Sequence, residues 1–350
     1  MAAALGGARS ARRPPPGRDT VRVPAAGARG GRVTRPFRFI APAPRLTGDP
    51  ARWRAEVRRI EDLGFSTLSI GDHVSRGWAL EPVTAMTVAA EATSRLRVLS
   101  LALANDYRHP VILHKALATL DVFSSGRVEL GIGAGWMQSD YDSAGIPMDP
   151  AATRIERLEE SLRILTGLFG PAPVNVTGRY YRIRDLDGLP KPVQRPRPPL
   201  LVGGGGRRML SLAARVADIV GVHCTLPSGV QDAAAVADLA ADRIAEKVRW
   251  VQEAAEAVGR RVSDLELQFS VYHCLITRPG HIGAPNRSSF AALIAAAPEL
   301  LADSPAVLVG DVERCVDTLI ERRERYGFSY LNLGGDVESV APIVARLAGT

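Results

Sequence analysis

Three glycines at the end of a short apolar run are the first sign of chemistry in this sequence. Gly131, Gly133 and Gly135 alternate through the stretch LGIGAGW. Without side chains, the backbone there can approach a flat or anionic ligand, or pack closely against a helix. A dinucleotide-binding fingerprint would need a glycine where Trp136 stands, so the spacing excludes a Rossmann site. The glycines therefore predict either a cofactor site or close strand–helix packing.

A run of four glycines, Gly203–Gly206, follows another apolar run and precedes a predicted helix that begins near Arg207. Free backbone amides beside the positive end of a helix make a suitable cradle for a phosphate. The alternative is a flexible turn that binds no ligand.

His73 follows Asp72 at the end of a third apolar run. An imidazole titrates near neutral pH, so it can give or take a proton during hydride transfer to a carbonyl or from an alcohol. A structural histidine is the alternative. Asp72 could face away from a pocket, because successive strand residues point to opposite sides. Three other histidines are weaker candidates, either packed or lining the pocket: His109, His114 and His223.

The elements that must position these residues alternate between apolar runs and amphipathic segments. The runs predict strands at residues 37–41, 67–71, 96–103, 128–132, 200–203, 218–222, 267–275 and 330–333. Clear helices are predicted between them at residues 50–63, 82–93, 110–123, 153–169 and 312–326, with proline near several starts and glycine past several ends. Eight βα units in a chain of this length favour an α/β fold of the TIM-barrel type, with a doubly wound open sheet as the alternative.

Two segments fall outside this repeat. Residues 174–183, VNVTGRYYRI, alternate with period two around Gly178 and predict a β-hairpin outside the barrel. Residues 278–305 are polar, broken by proline and glycine, and then rich in alanine, which predicts an inserted excursion on the catalytic face. The excursion and the segment 139–150 are expected to shape the substrate pocket without contributing recognisable chemistry.

The net positive charge of the chain comes from its first 36 residues, which hold eight arginines, no lysine and one acid, Asp19. They account for the whole formal net charge of +7, and the remaining residues are balanced. Nucleic acid is therefore not indicated as a partner. The segment is rich in proline, glycine, alanine and arginine, so we expect residues 1–36 to be a disordered basic tail and residues 37–350 to form one domain.

Composition also bounds the compartment. The body has no run of 18 apolar residues, so no membrane partner is expected. The three cysteines, Cys224, Cys274 and Cys315, are far apart and lack metal-ligand spacing. We therefore expect reduced cysteines, no bound metal and a cytoplasmic location.

Several longer motifs together resemble the luciferase-like flavin and deazaflavin oxidoreductases. They are GDH at residues 71–73, LANDYRHP at 103–110, SSGRVELGIGAGW at 124–136 and RIERLEESLRIL at 154–165. GRYYRI, PPLLVGGGG, ADIVGV and the closing LVGDVERCVDTLIERRERYGFSYLNL follow in the family's order. The resemblance covers most of the body, and its deazaflavin-dependent members look most similar.

The resemblance implies a TIM barrel, usually dimeric, that binds coenzyme F-420 or, alternatively, FMN. It also implies a non-prolyl cis peptide or bulge near Ala104 and Asn105, behind the ring system of the cofactor. His73 would face the reactive part of the ring as the catalytic residue, and the four-glycine run would hold the cofactor phosphate. The implied cofactor-binding residues are Asp72, Ala104, Asn105, Gly133, Gly135, Trp136, Gly203, Gly204, Gly205 and Gly206.

One position departs from the family's pattern. Deazaflavin-dependent sugar-phosphate dehydrogenases of this family carry a glutamate immediately after the third glycine of the fourth strand, where this chain has Trp136. This argues against the sugar-phosphate reaction, and Trp136 either stacks near the ring or fills a gap. The leading hypothesis is hydride transfer between F-420 and a small organic substrate. The alternatives are an FMN-dependent monooxygenase supplied by a separate reductase, and a flavin-binding protein without catalysis.

Overall fold

A closed barrel of parallel strands forms the centre of the fold. The computed structural model describes residues 35–75, 77, 79–278, 281–282 and 289–350. The strands in chain order are β1 (Arg38–Pro42), β2 (Thr67–Ile70), β3 (Arg97–Ser100), β4 (Leu103–Ala104), β5 (Val128–Gly133), β6 (Val174–Thr177), β7 (Arg182–Leu186), β8 (Leu200–Gly204), β9 (Ile219–Val222), β10 (Glu266–Ser270), β11 (His273–Arg278), β12 (His281–Ile282), β13 (Val307–Gly310) and β14 (Phe328–Asn332).

Helices separate most of the barrel strands. They are α1 (Pro50–Asp62), α2 (Pro82–Ala92), α3 (Pro110–Phe123), α4 (Gln138–Ala144), α5 (Ala151–Phe169), α6 (Arg207–Val216), α7 (Ala233–Ala237), α8 (Ala241–Glu256), α9 (Ser289–Ala295), α10 (Val312–Tyr326) and α11 (Val337–Leu347). The Asp49 carboxylate caps α1, and α10 ends at Gly327 in the left-handed conformation. These local signals explain why the predicted boundaries of both helices agree with the structure to within a residue.

The barrel closes because its first and last strands pair. The hydrogen-bonded order is β3-β2-β1-β14-β10-β9-β8-β5, and β3 also pairs with β5, through Val98 with Val128 and Leu99 with Glu129. The short strand β4 continues the position of β3 and pairs with the end of β5. All these pairs are parallel, so the carboxyl ends of the strands meet on one rim. The TIM-barrel prediction is confirmed, and the open-sheet alternative is wrong.

Two predicted strands need correction. The run predicted as one strand at residues 267–275 is divided: β10 ends at Ser270, and from Tyr272 the backbone turns to Ala306, so that β11 pairs with β13 instead. The run at residues 96–103 is divided into β3 and β4. A cis peptide bond joins Leu101 to Ala102 between them, slightly before the position near Ala104 and Asn105 that the family resemblance implied.

Polar residues close the amino end of the barrel. Glu129 is buried and accepts hydrogen bonds from Arg97 at 2.6 Å and Tyr330 at 2.6 Å, and it also pairs with Arg38. Arg38 reaches Glu266 at 2.8 Å. Above this floor lies a small apolar layer of Ile40, Leu99, Leu201, Ile219 and Tyr330. Ligand access is therefore confined to the opposite, carboxyl rim.

Outside the barrel, the predicted hairpin is present as the antiparallel pair β6–β7. The Glu160 carboxylate on α5 accepts hydrogen bonds from the amides of Arg179, Tyr180 and Tyr181, which fixes the connecting turn. The excursion after β10 contributes the sheet β12-β11-β13 and α9 among the described residues.

The predicted tail lies largely outside the described residues, which begin at Arg35. Arg35 itself was assigned to the tail, but its guanidinium donates hydrogen bonds to the carbonyl oxygens of Ser263 at 3.1 Å and Asp264 at 2.9 Å. None of the helices in the described part of the chain has the length and apolar character needed to cross a bilayer.

His114 makes folding stability depend on pH. It lies on α3, 2% exposed, with its ring 4.8 Å from that of Phe169, and burial together with the charge of Lys191 lowers the pKa of His114 to about 4. The unfolded chain takes up a proton below about pH 6.5, whereas the folded protein does so near pH 4. The contribution of His114 to stability is therefore complete above about pH 6.5, and about 3 kcal/mol of it is lost as the pH drops toward 4.

We expect His114→Leu to remove most of this loss, and denaturant unfolding between pH 7.5 and 4.5 measures it. Lys191→Met should reduce the slope in part, because it removes one of the charges that disfavour the protonated ring. An unchanged slope in His114→Leu would contradict the assignment.

Candidate active site

The carboxyl rim of the barrel brings His73 together with an acid that the sequence did not indicate. His73 follows β2, and its Nδ1 lies 2.6 Å from Oδ2 of Asp140, which is buried on α4 after β5. The His73 and Trp136 rings make a T-shaped contact, with ring centroids 5.6 Å apart and planes at 81°. A histidine from the exit of β2 is thus in contact with a carboxylate and an aromatic ring that follow β5, across the intervening strand β3.

The Asp140 carboxylate is held in its ionised form. Its Oδ1 accepts hydrogen bonds from the backbone amides of Ser75 at 2.8 Å and Val74 at 3.2 Å. Burial opposes ionisation, but hydrogen bonds from Ser75 and His73 outweigh it and hold the pKa of Asp140 below its usual range. Burial and the nearby Asp140 charge raise the pKa of Tyr107, whose hydroxyl is part of the same cluster.

An ionised Asp140 fixes the tautomer of His73. Because the carboxylate only accepts hydrogen bonds, Nδ1 of His73 carries the hydrogen in their contact. The neutral ring then presents Nε2 as an acceptor, and the protonated ring presents it as a donor. The pair can therefore move a proton to or from a group at Nε2 without reorganising.

Asp72 takes a supporting position next to His73. Its carboxylate is bidentate with Arg108, at 2.6 and 3.1 Å, and accepts the amide of Ala104 at 3.0 Å. Asp72 and His73 therefore have separate hydrogen-bond partners, although they are adjacent in sequence. Asp72 fixes the third strand exit, where Ala104 and Asn105 lie.

Asn105 offers a buried acceptor at that exit. Its Nδ2 donates to the Tyr181 hydroxyl at 3.4 Å, and within the described residues its Oδ1 has no hydrogen-bond partner. A buried polar atom without a partner costs free energy, so this oxygen suits a donor group on a bound ligand.

The three glycines of the fourth barrel strand divide between packing and access. A Cβ at Gly131 would overlap the carbonyl oxygen of Ser100, and one at Gly135, where φ is +76°, would overlap the Tyr141 hydroxyl. At Gly133 the nearest described atom would be the Gly203 carbonyl oxygen, at 4.0 Å. The close-packing alternative therefore applies at Gly131 and Gly135, whereas Gly133 has space beside it.

The four-glycine run divides in the same way. A Cβ at Gly204 would overlap Met209, and one at Gly205 would overlap the backbone of Cys224 and Thr225. At Gly206 such an atom would meet no described atom within 4 Å. Gly206 is the N-cap of α6 without a side-chain capping bond, and the first turn of α6 contains no acid. The amides there are thus arranged for an external anion.

The remaining histidines have structural surroundings. His223, after β9, lies 3.1 Å from the Tyr272 hydroxyl through Nδ1, and burial and the charge of Lys247 lower its pKa to about 4. His109 accepts the Val111 amide at the start of α3. His223 is therefore neutral at physiological pH and lies half-buried beside Gly203 and Gly221.

Sequence reasoning missed Asp140, Tyr107 and Arg108. Asp140 belongs to the segment 139–150, in which no recognisable chemistry was expected, and it meets His73 across 67 residues of sequence. Its place in the first turn of a helix directly after the glycine-lined strand exit was the one signal available.

Comparison with known proteins places the chain in a described family. The model of the luciferase-like monooxygenase family matches residues 36–329. An FMNH(2)-dependent dimethylsulfone monooxygenase of Pseudomonas putida is 33% identical over 39% of this chain, and the match spans 38% of that relative's length. A 4-hydroxyprotoasukamycin monooxygenase of Streptomyces nodosus subsp. asukaensis is 29% identical over 83% of this chain and 82% of the relative.

This chain is also similar to enzymes that depend on the deazaflavin coenzyme F-420. An F-420-dependent glucose-6-phosphate dehydrogenase of Amycolatopsis mediterranei is 28% identical over 59% of this chain and 60% of its own length. The solved structure of an F-420-dependent secondary alcohol dehydrogenase, in complex with an F-420–acetone adduct, superimposes with a TM-score of 0.69 at 16% identity, covering 89% of this chain and 98% of that chain. At this identity the structural likeness concerns the fold.

The Asp140–His73 contact predicts a specific response to Asp140→Asn. The amides of Val74 and Ser75 require an acceptor at Oδ1, so the new NH2 group should face His73 and force Nδ1 to accept. We expect the neutral ring to change from the Nδ1–H to the Nε2–H tautomer. Long-range 1H–15N correlation of histidine-labelled protein reports the tautomer, and His73→Gln assigns the signal among the six histidines. Retention of the Nδ1–H tautomer in Asp140→Asn would contradict the contact.

Proposed function

Because the chain belongs to the luciferase-like monooxygenase family, whose members are oxidoreductases, we propose that it transfers hydride between coenzyme F-420 and a small organic substrate. The observation that carries this proposal is the His73–Asp140 pair at the strand exits. Hydride transfer to or from an alcohol or carbonyl needs one partner for the proton, and this pair supplies it.

The residues present fit a phosphate-bearing, ring-shaped cofactor. Open space at Gly133 and Gly206 supports close approach of a ligand to the backbone, and the unpaired Oδ1 of Asn105 supports a donor on that ligand. We propose that Gly206 and the first amides of α6 hold the phosphate, while Gly133, Ala104 and Asn105 border the ring. When bound, F-420 would supply the hydride donor or acceptor.

Each remaining residue has a role in this proposal. His73 exchanges the proton through Nε2, and Asp140 orients its ring by holding Nδ1. Trp136 limits the space on one side of His73 and excludes water there. Asp72 and Arg108 act at one remove, by fixing the amide of Ala104. Gly135, Gly204 and Gly205 were predicted to bind cofactor, and we propose that they act through close packing of the strand exits.

A second candidate is an FMN-dependent two-component monooxygenase that uses oxygen. Two of the similar proteins described above carry the name monooxygenase, and one of them is named as FMNH(2)-dependent. Reduced flavin would then come from a separate reductase, which makes that enzyme a transient partner. The same proton-carrying pair and anion cradle would serve this reaction.

The dimer and the cytoplasmic location predicted from the sequence are also carried here as proposals. An open groove of about 420 Å³ runs along α3. It is lined by side chains with helical spacing: Ile112, Lys115, Ala116, Thr119 and Phe123. Ile112 and Phe123 are 65% and 68% exposed. This apolar face is the surface that we propose for the second copy.

Titration of the purified protein with F-420 and with FMN tests the cofactor, since both report binding through fluorescence. We expect F-420 to bind more tightly, and no substrate-dependent oxygen consumption when reduced FMN is supplied. Exclusive binding of FMN, together with such consumption, would replace the deazaflavin proposal by the monooxygenase.

In the same assays, His73→Ala should retain cofactor affinity within about tenfold, or 1.4 kcal/mol, while losing most turnover. His109→Ala is the matched control, and it should keep turnover near the wild-type value. Full turnover by His73→Ala would remove the histidine from the mechanism.

Gly206→Asp tests whether the amides at the start of α6 bind an anion, because a Cβ at this position meets no described atom within 4 Å. The position has φ −87° and ψ 151°, which aspartate adopts readily at an N-cap. The new carboxylate should cap α6, so stability should rise by a few tenths of a kcal/mol. Affinity for the phosphate-bearing cofactor should fall at least tenfold, because the carboxylate occupies the same amides and repels the phosphate. The control Gly206→Ala should bind within threefold of wild type, and wild-type affinity in Gly206→Asp would exclude the cradle.

A further inference from the structure

Lys247 is a fully buried charged side chain behind the four-glycine run. It lies on α8 with 0% side-chain exposure. Its ammonium group donates to the Gly205 carbonyl oxygen at 2.5 Å, to Thr225 Oγ1 at 3.2 Å and to Asp238 Oδ2 at 2.7 Å. Lysine has three donors, and each of them therefore has a defined acceptor.

Asp238 completes this cluster from the segment after α7. Its Oδ2 also accepts the backbone amide of Thr225 at 2.7 Å, and its Oδ1 faces Arg243 at 3.3 Å. Burial opposes ionisation, but the hydrogen bonds from Lys247 and Thr225 hold the pKa of Asp238 below its usual range. The pair is thus ionic and locally neutral.

Burying such a pair is costly, and a well-packed apolar pair would serve stability as well or better. The cluster sits at one particular place, where β8 has ended at Gly204 and the Gly205 carbonyl is beyond the strand pairing. Gly205 is also packed too closely against Cys224 and Thr225 to carry a side chain. Lys247 therefore fixes one peptide group in an otherwise featureless glycine run.

That peptide group joins Gly205 to Gly206. In a planar trans peptide the C=O and N–H bonds point in opposite directions. Holding the Gly205 carbonyl against the buried Lys247 consequently directs the Gly206 N–H away from Lys247. The orientation of the first amide of the anion cradle is thus set from behind.

We propose that Lys247, with Asp238 and Thr225, is a positioning residue that preorganises the phosphate-binding amides at Gly206. The inference rests on the proposed function of the four-glycine run. It assigns to Lys247 an effect on the phosphate of the cofactor and not on its ring.

Ligand pairs that differ in the phosphate separate these effects. The probes are FMN against riboflavin, or F-420 against its phosphate-free ring and ribityl precursor, whichever ring system binds the wild-type protein. We expect Lys247→Met to weaken binding of the phosphorylated ligand at least tenfold and of the phosphate-free ligand less than twofold. The matched control is Arg243→Met, which removes the exposed neighbour of Asp238 and should change both affinities less than twofold.

A purely structural role would lower both affinities together, and that result, or unchanged affinities, would overturn the inference. Should Lys247→Met not fold, Thr225→Val is the second variant. It removes one of the three acceptors of the Lys247 ammonium group and keeps the hydrogen bond from the backbone amide of residue 225 to Asp238. The Thr225→Val variant should bind the phosphorylated ligand about threefold more weakly. If the loss of affinity is not selective for that ligand, the inference is likewise overturned. A wild-type protein that binds both members of the pair equally would instead refute the cradle itself, and the inference with it.

Discussion

Buried and half-buried carboxylates that accept hydrogen bonds from backbone amides stabilise the carboxyl rim of this barrel. Where parallel strands end, their amides lose the pairing that the sheet provides, and each must find another acceptor. Here three aspartates supply the acceptor, and each also pairs with a basic side chain. Asp72 accepts the amide of Ala104 and pairs with Arg108. Asp140 accepts the amides of Val74 and Ser75 and pairs with His73, and Asp238 accepts the amide of Thr225 and pairs with Lys247. The second of these pairs places a proton-carrying ring at the rim.

The two ends of the barrel differ in what fills them. At the amino end, Glu129 lies between Arg38, Arg97 and the Tyr330 hydroxyl. At the carboxyl end, glycines take the inward positions of neighbouring strands, as at Gly133 and Gly203. Ionic pairs are satisfied at both ends, so the difference lies in side-chain volume. Under the proposed function, the glycine-lined end would receive the ring of the cofactor without leaving a charge of these pairs without its partner.

The sequence predicted what local chemistry determines. The ends of α3 and α10, the hairpin and the glycine-lined exits agree with the structure, because proline, glycine and alternation act within a few residues. Long-range contacts could not be predicted from the sequence. Asp140 and His73 are 67 residues apart, and the folded barrel brings their two strand exits to the same rim. The division of residues 267–275 also depends on a distant partner, since β11 pairs with β13 rather than extending β10. Which glycines pack and which stay open likewise depends on distant atoms, such as the Tyr141 hydroxyl above Gly135.

The His73–Asp140 pair constrains the chemistry more than it selects the cofactor. With Asp140 ionised, Nδ1 would keep its hydrogen through the proposed reaction, and proton exchange would be left to Nε2. Oxidation of an alcohol then has to begin from the neutral ring, and reduction of a carbonyl from the protonated ring. The same geometry would thus serve both directions of the proposed reaction, with either a flavin or a deazaflavin as the cofactor. What distinguishes the two cofactors must lie in the groups that contact their rings and phosphates, and not in the residue that carries the proton.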